Sequence, residues 1–302
     1  MTQTRKLKIT YTATFRLQPQ SDGRVWIVLP ANDPGQKITK ISLEFSPSRI
    51  YQDSNDNSIV YARLQKSETV KLCSKMEATL QQYAVKVKSP KFTKYTKLLK
   101  TYTKVEPFLE QPQWLKFLAQ KIEHESTDDL HALKLAFQYT IHSFTYHYPV
   151  LHRGVKNLQP KHLMGDCGEY TAFFVALCRA MGIPARPSTG FVVSTKKKLL
   201  EHAWASVYVP GYGWCDIDTQ YASLKRDIHR ATKKYFLARS DYRIAFTNGY
   251  NLPLRPSIPP GFNYSFWQRQ CLPMSRKSAQ VLQPIVFASK GKVKFSDTLL
   301  VK

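Results

Sequence analysis

The sequence predicts an α+β protein in which an antiparallel β-domain precedes a region that combines helices with a β-hairpin. Up to about residue 90, apolar and polar residues alternate with the period of two that is typical of strands with one buried face. From residue 112, apolar residues recur every three or four positions, which indicates amphipathic helices. Two β-rich runs around a short Pro/Gly-rich turn then predict a hairpin. The length of 302 residues allows one large or two medium domains.

The first strand is the clearest element of the N-terminal part. Polar residues separate its apolar ones, which are Leu7, Ile9, Tyr11, Ala13, Phe15 and Leu17. A turn at residues 21–23 leads into a second apolar run at residues 25–29, and alternation then continues. No constellation of reactive side chains accompanies these strands. We therefore expect residues 1–90 to form an antiparallel β-sandwich that packs on the core or shapes its cleft.

Three further segments are predicted after this β-domain. Residues 91–111 are a lysine-rich connection that follows a break at Ser89-Pro90. Residues 112–250 form the core, and residues 251–302 hold a Pro-rich stretch and closing strands. Because proline cannot donate a ladder hydrogen bond, we expect the closing strand around Pro284 to lie at the edge of its sheet.

Two helices open the core. Pro112 begins the first, which extends to about His124, and Asp128 begins the second. The second helix has a buried face formed by Leu130, Leu133, Phe137, Ile141 and Phe144. Both helices are expected to pack beside a third.

The third helix begins at a predicted N-cap. Its buried face is formed by apolar residues at helical spacing, namely Tyr170, Phe173, Phe174, Leu177, Cys178 and Met181. Asp166, with Glu169 three positions later, has the form of a capping box, so Cys167 is the first helical residue. Gly182 ends the helix.

Cys167 stands where a nucleophile would be useful. The unpaired backbone N–H groups and the positive end of the helix dipole both favour a thiolate there. The chain has five cysteines, Cys73, Cys167, Cys178, Cys215 and Cys271. Their odd number and the absence of C-x-x-C spacing argue against a disulfide framework or a zinc ribbon, and a reducing cytoplasm suits a catalytic thiol.

The predicted hairpin supplies a histidine and an aspartate. His202 lies eight residues before the turn at 210–213 and Asp218 five residues after it, so we expect the two to lie at similar levels. Asp216 lies closer to the turn and is the less favoured partner. Cysteine, histidine and aspartate can act as nucleophile, base and orienting group in acyl transfer through a thioester, and the Cys167 N–H is a natural oxyanion donor.

These motifs resemble the transglutaminase-like superfamily in its bacterial and archaeal form. The similar segments are Arg153-Gly154-Val155, Gly165-Asp166-Cys167-Gly168-Glu169, residues 177–186, His202-Ala203-Trp204, Gly211-Tyr212-Gly213-Trp214 and Asp218, with weaker similarity at residues 235–237 and 240–243. The resemblance covers roughly residues 110–255. It implies a papain-like transglutaminase core of the cysteine-protease type, with Cys167 as nucleophile, His202 as base and Asp218 as its partner. The family often has Pro-Thr after this aspartate, where this chain has Thr219-Gln220.

Each of these residues also has a plain structural interpretation. A single cysteine at a helix start is commonly a small buried apolar residue, a strand histidine is commonly structural, and Asp218 can be a turn residue. Their joint occurrence in this order favours catalysis. Gln159, in the loop of residues 145–164 that enters the site, is a candidate oxyanion donor, and an ordinary loop glutamine is the alternative.

The composition limits the classes of partner that can be expected. Lys plus Arg is 45 and Asp plus Glu is 21, and the formal net charge of +24 favours acidic partners through long-range steering. The lysines are spread along the chain without a zinc finger, a basic helix or an RNA-reading motif, so nucleic acid is not specifically indicated. No apolar run is long enough to span a bilayer and no secretory signal is evident, so we expect a cytoplasmic protein without membrane association.

We therefore predict a thiol-dependent peptidase, amidase or acyltransferase that acts on amide bonds of proteins or peptides, with hydrolysis favoured over amine transfer. The alternative is a catalytically silent transglutaminase-like protein that binds nucleic acid or an anionic surface. No cofactor is predicted. A metal site built from Cys167, Cys178, His202 and Cys215 lacks ligand-like spacing, and no segment resembles a calcium loop.

Overall fold

The computed structural model describes residues 3–30, 32–64, 69–88, 92, 95–97, 99–193, 199–264, 272–275, 278–280 and 285–302. Three features named from the sequence lie outside these residues, namely the break at Ser89-Pro90, Cys271 and Pro284.

The helices are α1 (Gln113–Glu125), α2 (Asp129–Ser143), α3 (Cys167–Ala180), α4 (Thr219–Ser223) and α5 (Ile228–Tyr235), and Leu99–Thr103 and Val155–Asn157 are short 3-10 turns. The strands are β1 (Thr4–Leu17), β2 (Asp22–Leu29), β3 (Gln36–Leu43), β4 (Arg49–Gln52), β5 (Ser58–Leu64), β6 (Val70–Gln81), β7 (Tyr83–Ala84), β8 (Phe144–Tyr146), β9 (Leu163–Gly165), β10 (Ala185–Val193), β11 (Leu199–Val209), β12 (Gly213–Ile217), β13 (Ala238–Arg239), β14 (Arg243–Asn248), β15 (Asn251–Pro253), β16 (Asn263–Tyr264), β17 (Leu272–Ser275), β18 (Ser278–Gln280), β19 (Ile285–Lys290) and β20 (Val293–Val301).

The chain divides into two compact units. The first consists of Met1–Gln81, Thr189–Glu201 and Asp241–Lys302, and the second of Gln82–Ser188 and His202–Ser240. The predicted divisions at residues 90, 111 and 250 stay predictions.

The first unit contains two sheets that enclose an apolar core. One sheet has the strand order β20-β1-β6-β3 and the other β16-β19-β2-β5-β4. The alternation predicted for the first strand is present, since its odd-numbered residues from Leu7 to Leu17 are buried. Side chains from both sheets fill one core, among them Phe15, Ile27 and Phe287. The predicted α+β class with an N-terminal β-sandwich is confirmed.

The two closing strands are integral to this sandwich. β20 pairs antiparallel with β1, and β19 pairs antiparallel with β2. β19 also has β16 on its other side, so the expectation that this closing strand lies at an edge was wrong. Pro284 itself lies outside the described residues, and every residue of β19 keeps the N–H that ladder pairing requires.

The second unit combines the helices with the predicted hairpin. Asp128 caps α2 by accepting a hydrogen bond from the His131 N–H, and α1 begins directly after Pro112. The three long helices pack around Phe173 of α3, whose ring stacks with Trp114 of α1 and Tyr139 of α2 at centroid distances of 6.1 Å. No helix within the described ranges is long and apolar enough to cross a membrane.

Candidate active site

Cys167 is the first residue of α3, and Asp166 is its N-cap, as the capping pattern predicted. The Asp166 side chain accepts a hydrogen bond of 2.8 Å from the Gly168 N–H. Every residue of the helix from Gly168 to Arg179 is buried, whereas Cys167 is partly exposed. A rigid, buried helix therefore presents a thiol at its accessible end.

The other described cysteines differ from Cys167 in exposure. Cys73, Cys178 and Cys215 are all buried. Burial raises the pKa of the Cys178 thiol far above its usual range and that of Cys215 to about 12. Among the described cysteines, Cys167 is thus the accessible one.

The hairpin brings a histidine and an aspartate together. β11 and β12 pair antiparallel, with Ser206 opposite Asp216 and Ala205 opposite Ile217. Beyond the last pair, Asp218 leaves the ladder and its Oδ2 lies 2.9 Å from His202 Nε2. Asp216 instead accepts a hydrogen bond of 2.9 Å from the Ser206 hydroxyl. The register therefore selects Asp218 as the neighbour of His202.

His202 is buried, and its surroundings shift its pKa. Burial lowers the pKa of a histidine, but the charge and hydrogen bond of Asp218, with a smaller contribution from the nearby Cys167, raise the pKa of His202 to about 9. Because Nε2 faces Asp218, Nδ1 is the ring nitrogen left for the thiol. Near neutral pH the imidazole is protonated between a carboxylate and a sulfur atom.

A tyrosine fixes the plane of this imidazole. Asp218 is the N-cap of α4 and its Oδ1 accepts a hydrogen bond of 3.0 Å from the Tyr221 N–H. The Tyr221 ring stacks on His202 at a centroid distance of 4.2 Å and an interplanar angle of 17°. Trp204 lies parallel to His202 at 6.1 Å and is buried, as expected of a core aromatic residue. One carboxylate therefore orients both the histidine and the helix that covers it.

The helix start also holds a buried ionic cluster. The Arg153 guanidinium donates to both Asp166 oxygens, at 3.0 and 2.7 Å, and to Glu169 Oε2 at 2.7 Å. The predicted capping box is thus modified, because Glu169 pairs with the arginine.

A strand of the entry loop runs beside Cys167. β8 and β9 pair in parallel, with Tyr146 opposite Gly165. Burial raises the pKa of Tyr146, and the proximity of Cys167 and Asp166 raises it further. The Tyr146 side chain is half exposed.

Gln159 is an exposed residue of the same loop. Its carbonyl accepts a hydrogen bond of 2.9 Å from the His162 N–H, which closes a turn. Its role as an oxyanion donor stays a prediction.

Sequence reasoning did not assign a role to two residues of this site. Arg153 belonged to a similar segment, but it lies 13 residues before Asp166 and no local pattern joins them. Tyr221 follows Asp218 by three residues, the spacing at which an N-cap aspartate accepts a hydrogen bond from the helix backbone, and this capping signal could have located it beside His202.

The arrangement can form and stabilise a thiolate and then deliver a proton. A partly exposed sulfur atom, a buried imidazolium and a buried carboxylate lie in sequence, and the helix start provides backbone N–H groups. Among the described residues, no group of three or more His, Cys, Asp and Glu side chains is arranged to hold a metal ion.

Comparisons with known proteins agree with the motif-based resemblance. Residues 116–219, which include Cys167, His202 and Asp218, match the sequence profile of the transglutaminase-like superfamily. A Haemophilus influenzae protein, described as uncharacterized, is 24% identical over 246 residues, which are 70% of this chain and 67% of that protein.

Solved structures with similar folds are known. The crystal structure of a candidate cysteine protease from Cytophaga hutchinsonii superposes with a TM-score of 0.62 at 13% identity, covering 100% of this chain and 92% of that one. The periplasmic domain of TgpA from Pseudomonas aeruginosa aligns with a TM-score of 0.42 at 14% identity, covering 70% and 88%. The resemblance read from the motifs is confirmed.

Proposed function

We propose that this chain, which carries a transglutaminase-like core domain in residues 116–219, is a thiol-dependent enzyme that cleaves amide bonds of proteins or peptides through a Cys167 thioester. The observation that carries the proposal is the buried pair of His202 and Asp218 beside Cys167. Nε2 of His202 lies 2.9 Å from Asp218 Oδ2, and the partly exposed Cys167 at the helix start is near enough to contribute to the raised pKa of His202.

Each residue has a role in two half-reactions. The Cys167 thiolate attacks the substrate carbonyl carbon, and the developing oxyanion accepts a hydrogen bond from the Cys167 N–H. The His202 imidazolium gives its proton to the leaving amine, which departs as the thioester forms. The now neutral His202 takes a proton from water or an amine, which attacks the thioester and releases the thiolate. Asp218 holds the imidazole ring and stabilises its charge in both halves.

We favour hydrolysis over amine transfer. Water is always present at a partly exposed thiol, whereas transfer needs a site that binds the amine and excludes water. Proteins or peptides are the proposed substrates because the fold superposes on a candidate cysteine protease, and the proposed compartment is the cytoplasm, where a free thiol stays reduced. The net charge of +24 favours acidic substrates through long-range steering.

The first test measures the nucleophile without a substrate. Native protein is labelled with iodoacetamide between about pH 5 and pH 9, and the labelled cysteine is mapped by mass spectrometry. We expect Cys167 to react well below the free-thiol pKa of about 8.5, and His202→Ala to abolish that low-pH reaction. His162→Ala, which removes an exposed histidine of the entry loop, serves as the matched control and should leave the profile unchanged.

An ordinary thiol profile at Cys167, insensitive to His202→Ala, would overturn the proposed function. It would leave the silent, anion-binding alternative, which predicts retention on heparin or a vesicle with phosphatidylserine and release by salt. With an activated thiolate established, ammonia release from glutamine peptides, with and without a labelled primary amine, separates hydrolysis from transfer. Ammonia is released in both routes when the thioester forms, so ammonia release that occurs only when the amine is present, matched by incorporation of the amine, would contradict the preference for hydrolysis.

A further inference from the structure

The Arg153 cluster, formed by Arg153, Asp166 and Glu169, lies at the start of α3 on both sides of Cys167. The guanidinium donates in parallel to both oxygens of Asp166, and its Nη1 also donates to Glu169. The side chains of the three residues are only 3%, 7% and 3% exposed, respectively. A planar, two-pronged contact of this kind holds a carboxylate in one orientation.

The charges of the cluster are balanced by a proton. Burial raises the pKa of Glu169 to about 8, and the adjacent Asp166 charge acts in the same direction while Arg153 opposes it. Burial also works against ionisation of Asp166, but the hydrogen bonds and charge of Arg153 outweigh it and lower the pKa of that carboxyl. At neutral pH the cluster therefore holds one cation, one anion and one neutral acid, which a buried site tolerates.

The backbone around Cys167 is built to admit these side chains. A Cβ added at Gly168 would lie 2.9 Å from Arg153 Nη1 and 3.0 Å from Asp166 Oδ1. A Cβ added at Gly165 would lie 2.4 Å from the Cβ of Glu169. The glycines on either side of the Asp-Cys pair are thus required by the close approach of Arg153 and Glu169, and the backbone on both sides of the thiol is in direct contact with the cluster.

Arg153 reaches this place from a separate, anchored segment. Its carbonyl accepts a hydrogen bond of 2.7 Å from Asn157 Nδ2, and the Val155 N–H donates to the Phe108 carbonyl at 3.2 Å. The backbone of the arginine is therefore held by hydrogen bonds that lie outside α3. It can transmit that fixed position to the helix start through Asp166.

We propose that Arg153 is a positioning residue for Cys167, which sets the sulfur atom against His202 by clamping Asp166 and Glu169 on either side of it. The proposal rests on the proposed function, since it assigns the geometry of the same nucleophile. Lysine cannot replace this arginine, because a single ammonium group lacks the planar fork that engages both oxygens of Asp166 together with Glu169.

The decisive variant is Arg153→Lys, which keeps the charge and removes the fork. The same helix offers a matched control in Arg179→Lys at its other end. Arg179 is equally buried, with 3% exposure of its side chain, and its Nη1 donates to Glu106 at 2.6 Å and to the Lys104 carbonyl at 2.8 Å. Both variants lose hydrogen bonds of a buried guanidinium group, but Arg179 is remote from Cys167 along α3.

The readout is iodoacetamide labelling of Cys167 as a function of pH, with thermal unfolding measured in parallel. We expect Arg153→Lys to lower the labelling rate at about pH 6.5 by about tenfold and to move the profile toward that of a free thiol near pH 8.5. Arg179→Lys should lower the thermal midpoint by a similar amount but leave the labelling profile of Cys167 unchanged. Where Arg153→Lys does not fold, Arg153→Gln and Asp166→Asn, each of which retains part of the hydrogen bonding, are measured in its place.

Three results separate the possibilities. A normal thiol profile in the wild-type protein defeats the proposed function itself. An activated wild-type thiolate that Arg153→Lys leaves intact defeats the positioning role of Arg153. Equal effects of Arg153→Lys and Arg179→Lys on labelling also defeat it, because they would reflect general loosening of α3.

Discussion

At the scale of single residues, Asp218 determines the charge of His202. A buried histidine without a partner would be neutral at pH 7, but the adjacent carboxylate makes the imidazolium the stable form. The folded-state pKa of about 9 lies above the unfolded value of about 6.5, so this pair stabilises the fold fully below about pH 6.5. That stability is lost as pH rises through about 9.

Asp218→Asn should therefore lower the pKa of His202 well below 9, because burial is then opposed only by the contribution of Cys167. The measurement is an NMR titration of the His202 ring. Asp216→Asn is the control: Asp216 bonds to Ser206, and its loss should leave the titration of His202 in place. Amide cleavage by Asp218→Asn should fall by roughly a hundredfold or more, since the ring loses its orientation and its charge. A His202 pKa that stays near 9 in Asp218→Asn would contradict this account.

Ionisation of Glu169 should produce a second pH effect on stability, in the same direction as that of His202. Its folded-state pKa of about 8 lies above the unfolded value of about 4.3, so the folded protein binds the extra proton between these limits. The stability contributed by this residue falls as pH rises through that window. Glu169→Gln, which cannot ionise, should gain stability relative to wild type from pH 5 to 8, by at most about 1.4 kcal/mol per pH unit.

Urea unfolding of both proteins at several pH values measures this difference, in which the titration of His202 cancels. Above about pH 8 the difference should level off. A constant difference from pH 5 to 8 would mean that Glu169 is ionised throughout this range. The Arg153 cluster would then contain no neutral acid.

At the scale of elements, the site depends on how α3 begins. Gly165 ends β9 and Glu169 lies in the first turn of α3, and the two are in contact. Gly165→Ala would place a Cβ 2.4 Å from the Glu169 Cβ, so one element must shift. We expect a loss of about 1–3 kcal/mol in unfolding free energy from this overpacking, together with slower labelling of Cys167.

Gly182→Ala is the comparison at the other end of the helix. A Cβ there meets no atom within 4 Å, but its φ of +72° is strained for alanine. It should also lose about 1–2 kcal/mol, with no effect on Cys167. Equal labelling of Cys167 in both variants would show that the entry to α3 does not control the thiol.

At the scale of the molecule, strand β20 completes one of the two sheets of the first unit. Phe295 of β20 packs on Phe15 of β1 at 5.0 Å and on Phe287 of β19 at 6.1 Å. We expect Phe295→Ala to destabilise the sandwich by about 3–5 kcal/mol, because it leaves a cavity in the core. Native-state hydrogen exchange of the β1 and β2 amides measures the loss within this unit.

Thr298→Ala, at an exposed position of the same strand, is the control and should change stability by less than about 0.5 kcal/mol. Undiminished protection of the β1 and β2 amides in Phe295→Ala would show that the sandwich does not depend on its last strand.

Much of this architecture follows from local patterns. The alternation of Leu7 to Leu17, the caps at Asp128 and Asp166, and the turn before Trp214 each act over a few residues, where propensity and hydrogen bonding are decided locally. The position of Cys167 at a helix start was readable for the same reason. The choice of Asp218 over Asp216 was also readable, because strand geometry fixes how far a hairpin residue lies from its turn.

Other features arise from contacts between distant segments, which no short pattern encodes. Arg153 meets Asp166 and Glu169 only because the loop that carries it is anchored at Phe108. β19 pairs with β16 on one side and β2 on the other, and this position is determined by the assembled sheet. The perturbed proton equilibria of His202 and Glu169 need both burial and a neighbouring charge, and these exist once the chain has packed. The sequence thus specified the reactive groups and the elements that carry them, and the tertiary fold set their distances and their charges.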